Sequence, residues 1–447
     1  MQRNSRKCLI HILTDFIAKS LNLCHSHENG NPFSFHNVFL DSCFRRNYFV
    51  NVTVKPLILL LAIMMVISGC GLPGGGKKRD IPKIDLVVDN PLNVKRTDEF
   101  IVLRVADLKE MAPDFYQNTF IVLQPDTNKE IPCQLDDMNN DGVGDEIAMV
   151  MDMEPKEKKN IMIRYSPESS ESRAVTLGHK KRTRSAIHPE YEGIGWESEL
   201  IGYRLYPDPR NSISILGKNK AELSLDSFAK NMGLSNAKII LDGGDSVGCG
   251  GFGIWHENRL LKPDKDALRY MRVVSDGPVR SVIQVIYDSW IVGDKSLRVT
   301  ATYSIFAGQR WSTGNVKIER AGEPMKIASG VTKSKSATLT RNEKDGLFYT
   351  YGNQSKMNDA LGMALIYPPE SLDSFQESDD SYLTILNPGA DNDITYWFLS
   401  AWGRGEIGVK SASDFAEMVS STTDNLRKPI TVTIMPIKKE PQQSPNK

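Results

Sequence analysis

The chain has 447 residues, too many for one ordinary domain, and its length predicts two or three once any targeting segment is set aside. Charge cancels, with 55 Lys+Arg against 55 Asp+Glu, and the only basic block is the short His179-Lys-Lys-Arg-Thr-Arg184; with no zinc-ligand spacing either, nucleic acid is excluded as a partner. A composition 40% hydrophobic and 25% charged can bury a core, which excludes disorder for most of the chain.

The first element is an uncharged apolar run, residues 56–68, preceded by Lys55 and followed by Gly69-Cys70-Gly71. It is shorter than the about 20 apolar residues that span a bilayer and fits the hydrophobic region of a signal peptide. Ile67-Ser68-Gly69-Cys70 resembles a bacterial lipobox, in which the Cys carries a diacylglyceryl group and becomes the mature N-terminus. Residues 1–69 are therefore expected to be a signal region, its first fifty or so residues reading as a misassigned start. Residues 70–80 are expected to be a polar tether from lipidated Cys70. The location implied is the cell envelope, and the outer membrane where the organism has one, because position 71 is Gly and not Asp. With Cys70 lipidated, Cys133 and Cys249 are expected as free thiols.

Short β-branched and aromatic runs bounded by turn residues follow at 84–88, 100–105, 119–123, 146–151 and 159–165, the pattern of an antiparallel sandwich over 81–165. Residues 166–190, rich in Ser and Glu and then basic, read as a linker. Longer strands are predicted at 198–205, 212–216, 279–287, 296–306, 315–319, 363–367 and 395–400, within a second domain over 191–436. In 298–306 the alternation sets Val299, Ala301, Tyr303 and Ile305 on one face and Thr300, Thr302, Ser304 and Phe306 on the other. Ser411-Ala-Ser-Asp414, with Phe415, Met418, Val419 and Leu426 at helical spacing, predicts one late helix over about 412–426. Residues 437–447 read as a disordered tail. The fold class expected is all-β.

Four stretches are familiar in this order: Gln134-Leu-Asp-Asp-Met-Asn-Asn-Asp-Gly-Val-Gly-Asp-Glu146, then Gly195-Trp-Glu-Ser-Glu-Leu-Ile-Gly-Tyr-Arg-Leu-Tyr-Pro-Asp-Pro-Arg-Asn211, Asp245-Ser-Val-Gly-Cys-Gly-Gly-Phe-Gly-Ile-Trp-His256 and Gly277-Pro-Val-Arg-Ser281. Together they resemble the bacterial domain-of-unknown-function family 4861, many of whose members are exported and associated with polysaccharide breakdown. The resemblance implies a small N-terminal β-sandwich followed by a large antiparallel two-sheet supersandwich, similar to mutarotase-like and polysaccharide-lyase domains. The chain departs from the family pattern at Ser227-Phe-Ala-Lys-Asn-Met-Gly233, where a Tyr-His pair is expected and no His occurs. If that His is catalytic, the departure implies activity altered or lost.

Three constellations could carry chemistry. Asp137, Asn139, Asp141, the carbonyl of Val143 and Asp145 have the spacing of a calcium loop, with Gly142 permitting the turn; the oxygens are the hard ligands Ca²⁺ takes, as a structural site. A bidentate Glu at the twelfth position is missing, and Asn-Asp-Gly is also a plain hairpin-turn signal. Glu197 and Glu199 flank Ser198 on one strand face, with Trp196 on the other. Paired carboxylates can run glycoside hydrolysis, although two on one strand point in parallel, so a solvated face is the competing reading.

The third set is Tyr203, Arg204, Arg210, His256, Tyr303 and Arg310. Elimination from a uronic acid needs a cation to neutralise the sugar carboxylate, a base for the adjacent C–H proton and an acid for the leaving oxygen. Arg204, Arg210 or Arg310 would hold the carboxylate, and His256, Tyr203 or Tyr303 would move protons. His256 could equally be a surface histidine at a hairpin, and Arg204 and Arg210 could simply pair with Glu197, Glu199 or Asp208. Trp196, Trp255 and Trp311, with Glu197 and Glu199, are the expected sugar-binding side chains. The leading expectation is a lyase or dehydratase acting on uronate-containing oligosaccharides. The alternative is a non-catalytic glycan-binding lipoprotein, and hydrolysis through Glu197 and Glu199 comes third. The partner in each case is an oligosaccharide or polysaccharide, with the membrane touched only through the lipid.

Overall fold

The computed structural model describes residues 81–166, 178–188, 193–206, 208–230 and 236–436. The signal region, Cys70 with its tether, residues 167–177 of the expected linker and the 437–447 tail lie outside these. The described residues all fall in one compact unit, built of antiparallel strand with three α-helices.

The N-terminal sandwich forms from the turn-bounded β-branched and aromatic runs. One sheet orders Lys83–Asp89, Lys158–Tyr165, Phe120–Gln124 and Lys129–Glu130; the other orders Arg96–Arg104, Glu146–Met153 and Cys133–Asp136. Ile84, Leu86, Val88, Ile147, Ile161 and Ile163 pack between them, each fully buried aliphatic side chain contributing about 1.5–3 kcal/mol. The sandwich does not close by residue 165. The last strand of the chain, Thr431–Ile434, returns to pair with Lys83–Asp89 and completes the first sheet.

The second part is a two-layer supersandwich. One layer has eight strands, in the order Leu268–Asp276, Arg280–Val292, Lys295–Phe306, Trp311–Glu319, Asp393–Trp402, Leu361–Ile366, Leu347–Gly352 and Ala337–Asn342. The facing layer is two sheets of five. The first orders Ala237–Leu241, Ile213–Lys218, Gly202–Leu205, Gly193–Ser198 and Thr183–His188, and is called the cap sheet below. The second orders Arg259–Leu261, Cys249–His256, Ile327–Thr332, Ser381–Leu386 and Leu372–Glu377. A parallel bridge between Ile213 and Gly248 links the two. Val299, Ala301, Tyr303 and Ile305 all point into the core, as their alternation predicts.

Helix Ala412–Arg427 forms where expected. Ser411 caps it by accepting from the Asp414 amide at 3.1 Å, and Phe415 and Val419 bury its apolar face on the outside of the eight-stranded sheet. Gly362 makes room for it, since a Cβ there would lie 2.5 Å from the Phe415 ring. Cys133 and Cys249 are free and buried, and burial pushes the Cys133 thiol up to about 12.

Three expectations need correction. Residues 198–205 are not one strand: Gly193–Ser198 ends, a turn through Glu199 and Ile201 follows, and Gly202–Leu205 runs back beside it. Residues 183–188 are not linker but the edge strand of the cap sheet. Two short helices, Val105–Met111 and Leu225–Lys230, were not expected.

Candidate functional site

Strand pairing fixes which cap-sheet side chains share a face. Trp196, Tyr203 and Ile215 are paired and point into the core; Arg184, Glu197, Gly202 and Leu216 are paired and point outward. Arg204 shares that outward face, two residues along from Gly202.

The inward-pointing candidates are built into the core. Trp196 stacks on Tyr303 at 5.1 Å and donates to the Ser312 hydroxyl at 2.9 Å. The Tyr203 hydroxyl donates to the Arg310 carbonyl at 2.6 Å and accepts from Ser400 at 3.1 Å. Burial pushes the Tyr203 and Tyr303 phenols well above their ordinary value of 10.0, so neither serves as a base near neutral pH. The Arg310 guanidinium is used internally, donating to the carbonyls of Leu200, at 3.3 Å, and Ile407. Trp311 packs against Phe100 and Phe306, where the N-terminal sandwich meets the eight-stranded sheet. The expected aromatic platform is therefore absent: Trp196 and Trp311 are buried, and Trp255 packs half-buried beside Val247, Ala328 and Ile385.

The glycine at 250, before His256, is required by packing. Gly250 has φ +85°, and a Cβ there would fall 2.2 Å from the Phe398 ring. His256 ends that strand at a two-residue turn, Glu257-Asn258, with its Nε2 4.0 Å from Glu257 Oε1. It is the surface hairpin histidine, and no hydrogen bond or ion pair joins it to the other five candidates.

Glu197 and Glu199 do not form a hydrolytic pair. Glu197 is sealed: Oε2 lies 2.5 Å from the ammonium of Lys218, both side chains having no exposure, and Oε1 accepts from the amides of Ser224 and Leu225 at 2.8 Å. It thereby caps the start of the helix Leu225–Lys230. Burial lowers the pKa of Lys218, against the pull of Glu197. Glu199 lies in the turn, paired with Arg182, which also grips Asp98 of the N-terminal sandwich at 2.6 and 2.7 Å.

Arg204 and Arg210 do converge. Their guanidinium carbons stand 4.3 and 4.2 Å from the centre of the Tyr206 ring, with Arg210 also bonded to Asp208 at 2.8 Å. Beside the edge strand of the same sheet, and lined by neither these two arginines nor Tyr206, opens a cavity of about 530 Å³ whose walls include Lys181, Arg184, Glu197, Ser224, Asp226 and Asp276. A second hollow, about 470 Å³, lies between strands Arg96–Arg104 and Thr431–Ile434; its charged pair, Arg104 and Asp107, is joined at 2.7 Å.

In the 137–145 loop the Asp137 carboxylate accepts from the amides of Asn140, Asp141 and Gly142 at 2.6–3.2 Å. The Asn139 amide nitrogen lies 3.1 Å from Asp141 and 3.4 Å from Asp145. Among the described residues no group of three His, Cys, Asp or Glu side chains is placed to hold a metal ion. The familiar stretches around this loop serve a joint instead. Gln134 accepts from the amides of Val279 and Arg280 at 2.9 and 2.8 Å, and Arg280 pairs with Asp136 and, at 2.8 Å, with Glu146. Tyr206, Lys218, Arg184 and Arg280 were missed as key residues, although Tyr206 and Arg280 sit inside the quoted stretches.

An all-β supersandwich with an N-terminal sandwich is thus the class of protein. The profile of a domain of unknown function (DUF4861) matches residues 88–432, and the chain belongs to that family. No curated protein matches it. Similar solved structures include a protein in glycosyl hydrolase family 38 from Enterococcus faecalis, 10% identical over 82% of this chain and 49% of that one, TM-score 0.47. An alpha-mannosidase from Enterococcus faecalis V583 is 9% identical over 79% of this chain and 46% of that one, TM-score 0.46. YidC from Thermotoga maritima is 9% identical over 56% and 57%, TM-score 0.27. The chain spans about half the length of the first two, and at such identities and TM-scores none of these likenesses bears on activity.

Proposed function

We propose that the protein is a non-catalytic glycan-binding member of its family, taking uronate-containing oligosaccharide on the outward face of the cap sheet. What supports the reading is convergence: Arg204 and Arg210 meet on one ring, Tyr206, whereas Tyr203 and Tyr303 are sealed in the core around Trp196 and His256 ends a separate hairpin. Stacking on tyrosine holds a guanidinium flat, and the edge N–H groups that Arg210 now gives to Asp208 are those a sugar carboxylate would take in its place. Elimination would need a base within reach of the C–H proton, and Tyr203, Tyr303 and His256 supply none at Tyr206.

The test is incubation with a panel of uronate-containing and neutral oligosaccharides, followed by calorimetry, mass spectrometry and ultraviolet absorbance. Uronates are expected to bind without change of mass or absorbance, and Arg204→Gln or Arg210→Gln to weaken them about tenfold, the scale of one charge-assisted hydrogen bond. An unsaturated-uronate chromophore would overturn the non-catalytic reading in favour of elimination, and a gain of water would do so in favour of hydrolysis. Binding to no sugar would end both.

Two further proposals concern the same chain. The lipobox order supports a lipid anchor on Cys70 and a place in the cell envelope. Metabolic lipid labelling is expected to mark the wild type and not Cys70→Ala; equal label on both would end the idea.

Calcium at residues 137–145 would replace the Asn139 NH₂ group between Asp141 and Asp145, with Asn139 turned to offer its oxygen beside Asp137 and the Val143 carbonyl. Excess calcium is then expected to raise the melting temperature by mass action, and Asp137→Asn with Asp145→Asn to abolish the rise. Superimposable melts in chelator and in calcium would leave the loop a turn.

A further inference from the structure

The outer face of the eight-stranded sheet carries an arginine held by uncharged groups. Met271, Val285 and Ala301 turn inward on its first three strands, so Arg272, Gln284 and Thr302, one step along and paired with one another, point outward. Arg272 Nε donates to Gln284 Oε1 and Nη2 to the Met138 carbonyl, both at 2.9 Å. Nη1 makes no bond among the described residues and is not sealed from solvent. Arg182, Arg184, Arg210, Arg280 and Arg298, by contrast, are each paired with a carboxylate. A guanidinium fixed in orientation, lacking a counter-charge and open at one edge suits an incoming carboxylate.

What surrounds Arg272 suits a sugar. Tyr270, two residues away on the same strand face, is 54% exposed. In the other direction strand pairing extends the row from Arg272, Gln284 and Thr302 to Asn315 and Thr395, a reach of roughly 19 Å from the spacing of adjacent strands. Gln284 donates to the Thr302 hydroxyl at 3.2 Å and Asn315 to the Thr395 hydroxyl at 2.9 Å. Both threonines accept within the row, so their hydroxyl hydrogens are left to donate outward. One face thus offers an exposed ring for a pyranose, hydroxyl and amide groups for its hydroxyls, and a cation for its carboxylate.

We propose that this face is a second saccharide-binding surface, on which Arg272 holds the carboxylate of a uronate residue, Tyr270 stacks on its ring and the row toward Thr395 takes the hydroxyls of the neighbouring sugars. It lies on the opposite layer of the supersandwich from Tyr206 and uses none of the residues there. An acidic peptide would satisfy Arg272 but would leave the hydroxyl row idle. The inference rests on the glycan-binding reading for the class of ligand, and not for the place where it binds.

The test is hydroxyl-radical footprinting of the full chain, read by mass spectrometry as oxidation of Tyr270, with tri-galacturonate, maltotriose and tri-glutamate as probes at matched ionic strength. Tri-galacturonate alone is expected to protect Tyr270, in wild type and in Arg210→Gln alike. Arg272→Gln is expected to raise the concentration needed for half-protection about tenfold. Tyr270→Ala, a change at an exposed side chain, is expected to weaken calorimetric binding about fivefold in the Arg210→Gln background, where the cap-sheet position is already disabled. Tyr270 left unprotected by tri-galacturonate, or protected equally in Arg272→Gln, overturns the inference; if calorimetry then shows binding that Arg210→Gln removes, the cap-sheet reading stands by itself. Equal protection by maltotriose overturns the role of Arg272, and equal protection by tri-glutamate overturns the saccharide in favour of an acidic peptide. Protection of Tyr270 together with a calorimetric affinity unchanged in Arg210→Gln supports this surface and defeats the cap-sheet one.

Discussion

Lys218→Met is expected to cost about 3–5 kcal/mol of folding stability, because it leaves the Glu197 carboxylate buried without its counter-charge. The two side chains have no exposure, and the Lys218 ammonium also donates to the carbonyls of Ser198 and Glu222. The pair itself need not be worth that much, since burying two charges costs several kcal/mol before their attraction is counted. The double change Lys218→Met with Glu197→Gln is therefore expected to recover most of the loss: the amide side chain introduced there is neutral, and its oxygen can still accept from the Ser224 and Leu225 amides. Urea midpoints of the two single variants and the double one give the coupling. If the double variant is as unstable as the sum of the singles, an uncompensated charge is not the cause. The pH dependence has a definite sign. Burial lowers the Lys218 pKa below 10.5, so the unfolded chain holds this proton at pH values where the native state has released it. Stability attributable to Lys218 thus rises as the pH climbs from the lowered native value to 10.5. The rise is expected in wild type minus double variant, where tyrosine ionisation cancels.

Much of the fold was legible because one strand period is enough to choose a face. Val299, Ala301, Tyr303 and Ile305 alternate with hydroxyl residues and all lie in the core. The late helix was legible for a comparable local reason, a cap at Ser411 followed by apolar residues at helical spacing. The misread elements depend on distant partners. The turn after Ser198 contains no Gly, Pro or Asn before Gly202; it is held by the Ser198 hydroxyl accepting from Leu200 and by Arg182 on Glu199. The helix Leu225–Lys230 begins where Glu197, 27 residues earlier, satisfies its first amides.

The candidate site was legible in residue type and less so in placement. Tyr303 was set by alternation on the same face as Ile305, which already put it in the core; its chemistry drew attention that its register did not support. For Arg204 the neighbouring Tyr206 was visible in the sequence, but the stacking of two arginines on it depends on a chain reversal between Leu205 and Asn211. Arg184 looked like linker because basic composition in a short run says nothing about strand pairing. The run from Gly277 to Ser281 carried part of the family resemblance, and its Arg280 proves to be the bolt of an internal joint.

That joint carries the second large effect. Arg280 is buried and pairs with Asp136 and Glu146, while Gln134 bonds both Asp136, at 2.7 Å, and the Arg280 carbonyl, at 2.9 Å. Arg280→Met removes the only cation that these bonds place on Asp136 and leaves that carboxylate sealed, held by Gln134 and Ser275 alone. The expected loss is about 3–5 kcal/mol, and it should fall unevenly. The supersandwich keeps its own core, whereas the N-terminal sandwich loses its ionic grip on strand Arg280–Val292 and retains Gln134 on the Val279 and Arg280 backbone with the contacts through Arg182, Phe100 and the strand Thr431–Ile434. Calorimetry is expected to split one transition into two, the earlier belonging to residues 83–165 and followed by proteolysis there. Asp136→Asn added to Arg280→Met should bring the transitions back together, since the amide removes the buried charge. A single sharp transition for Arg280→Met at the wild-type temperature would mean that the aromatic contact of Phe100 with Phe306, and not the ion pair, holds the joint.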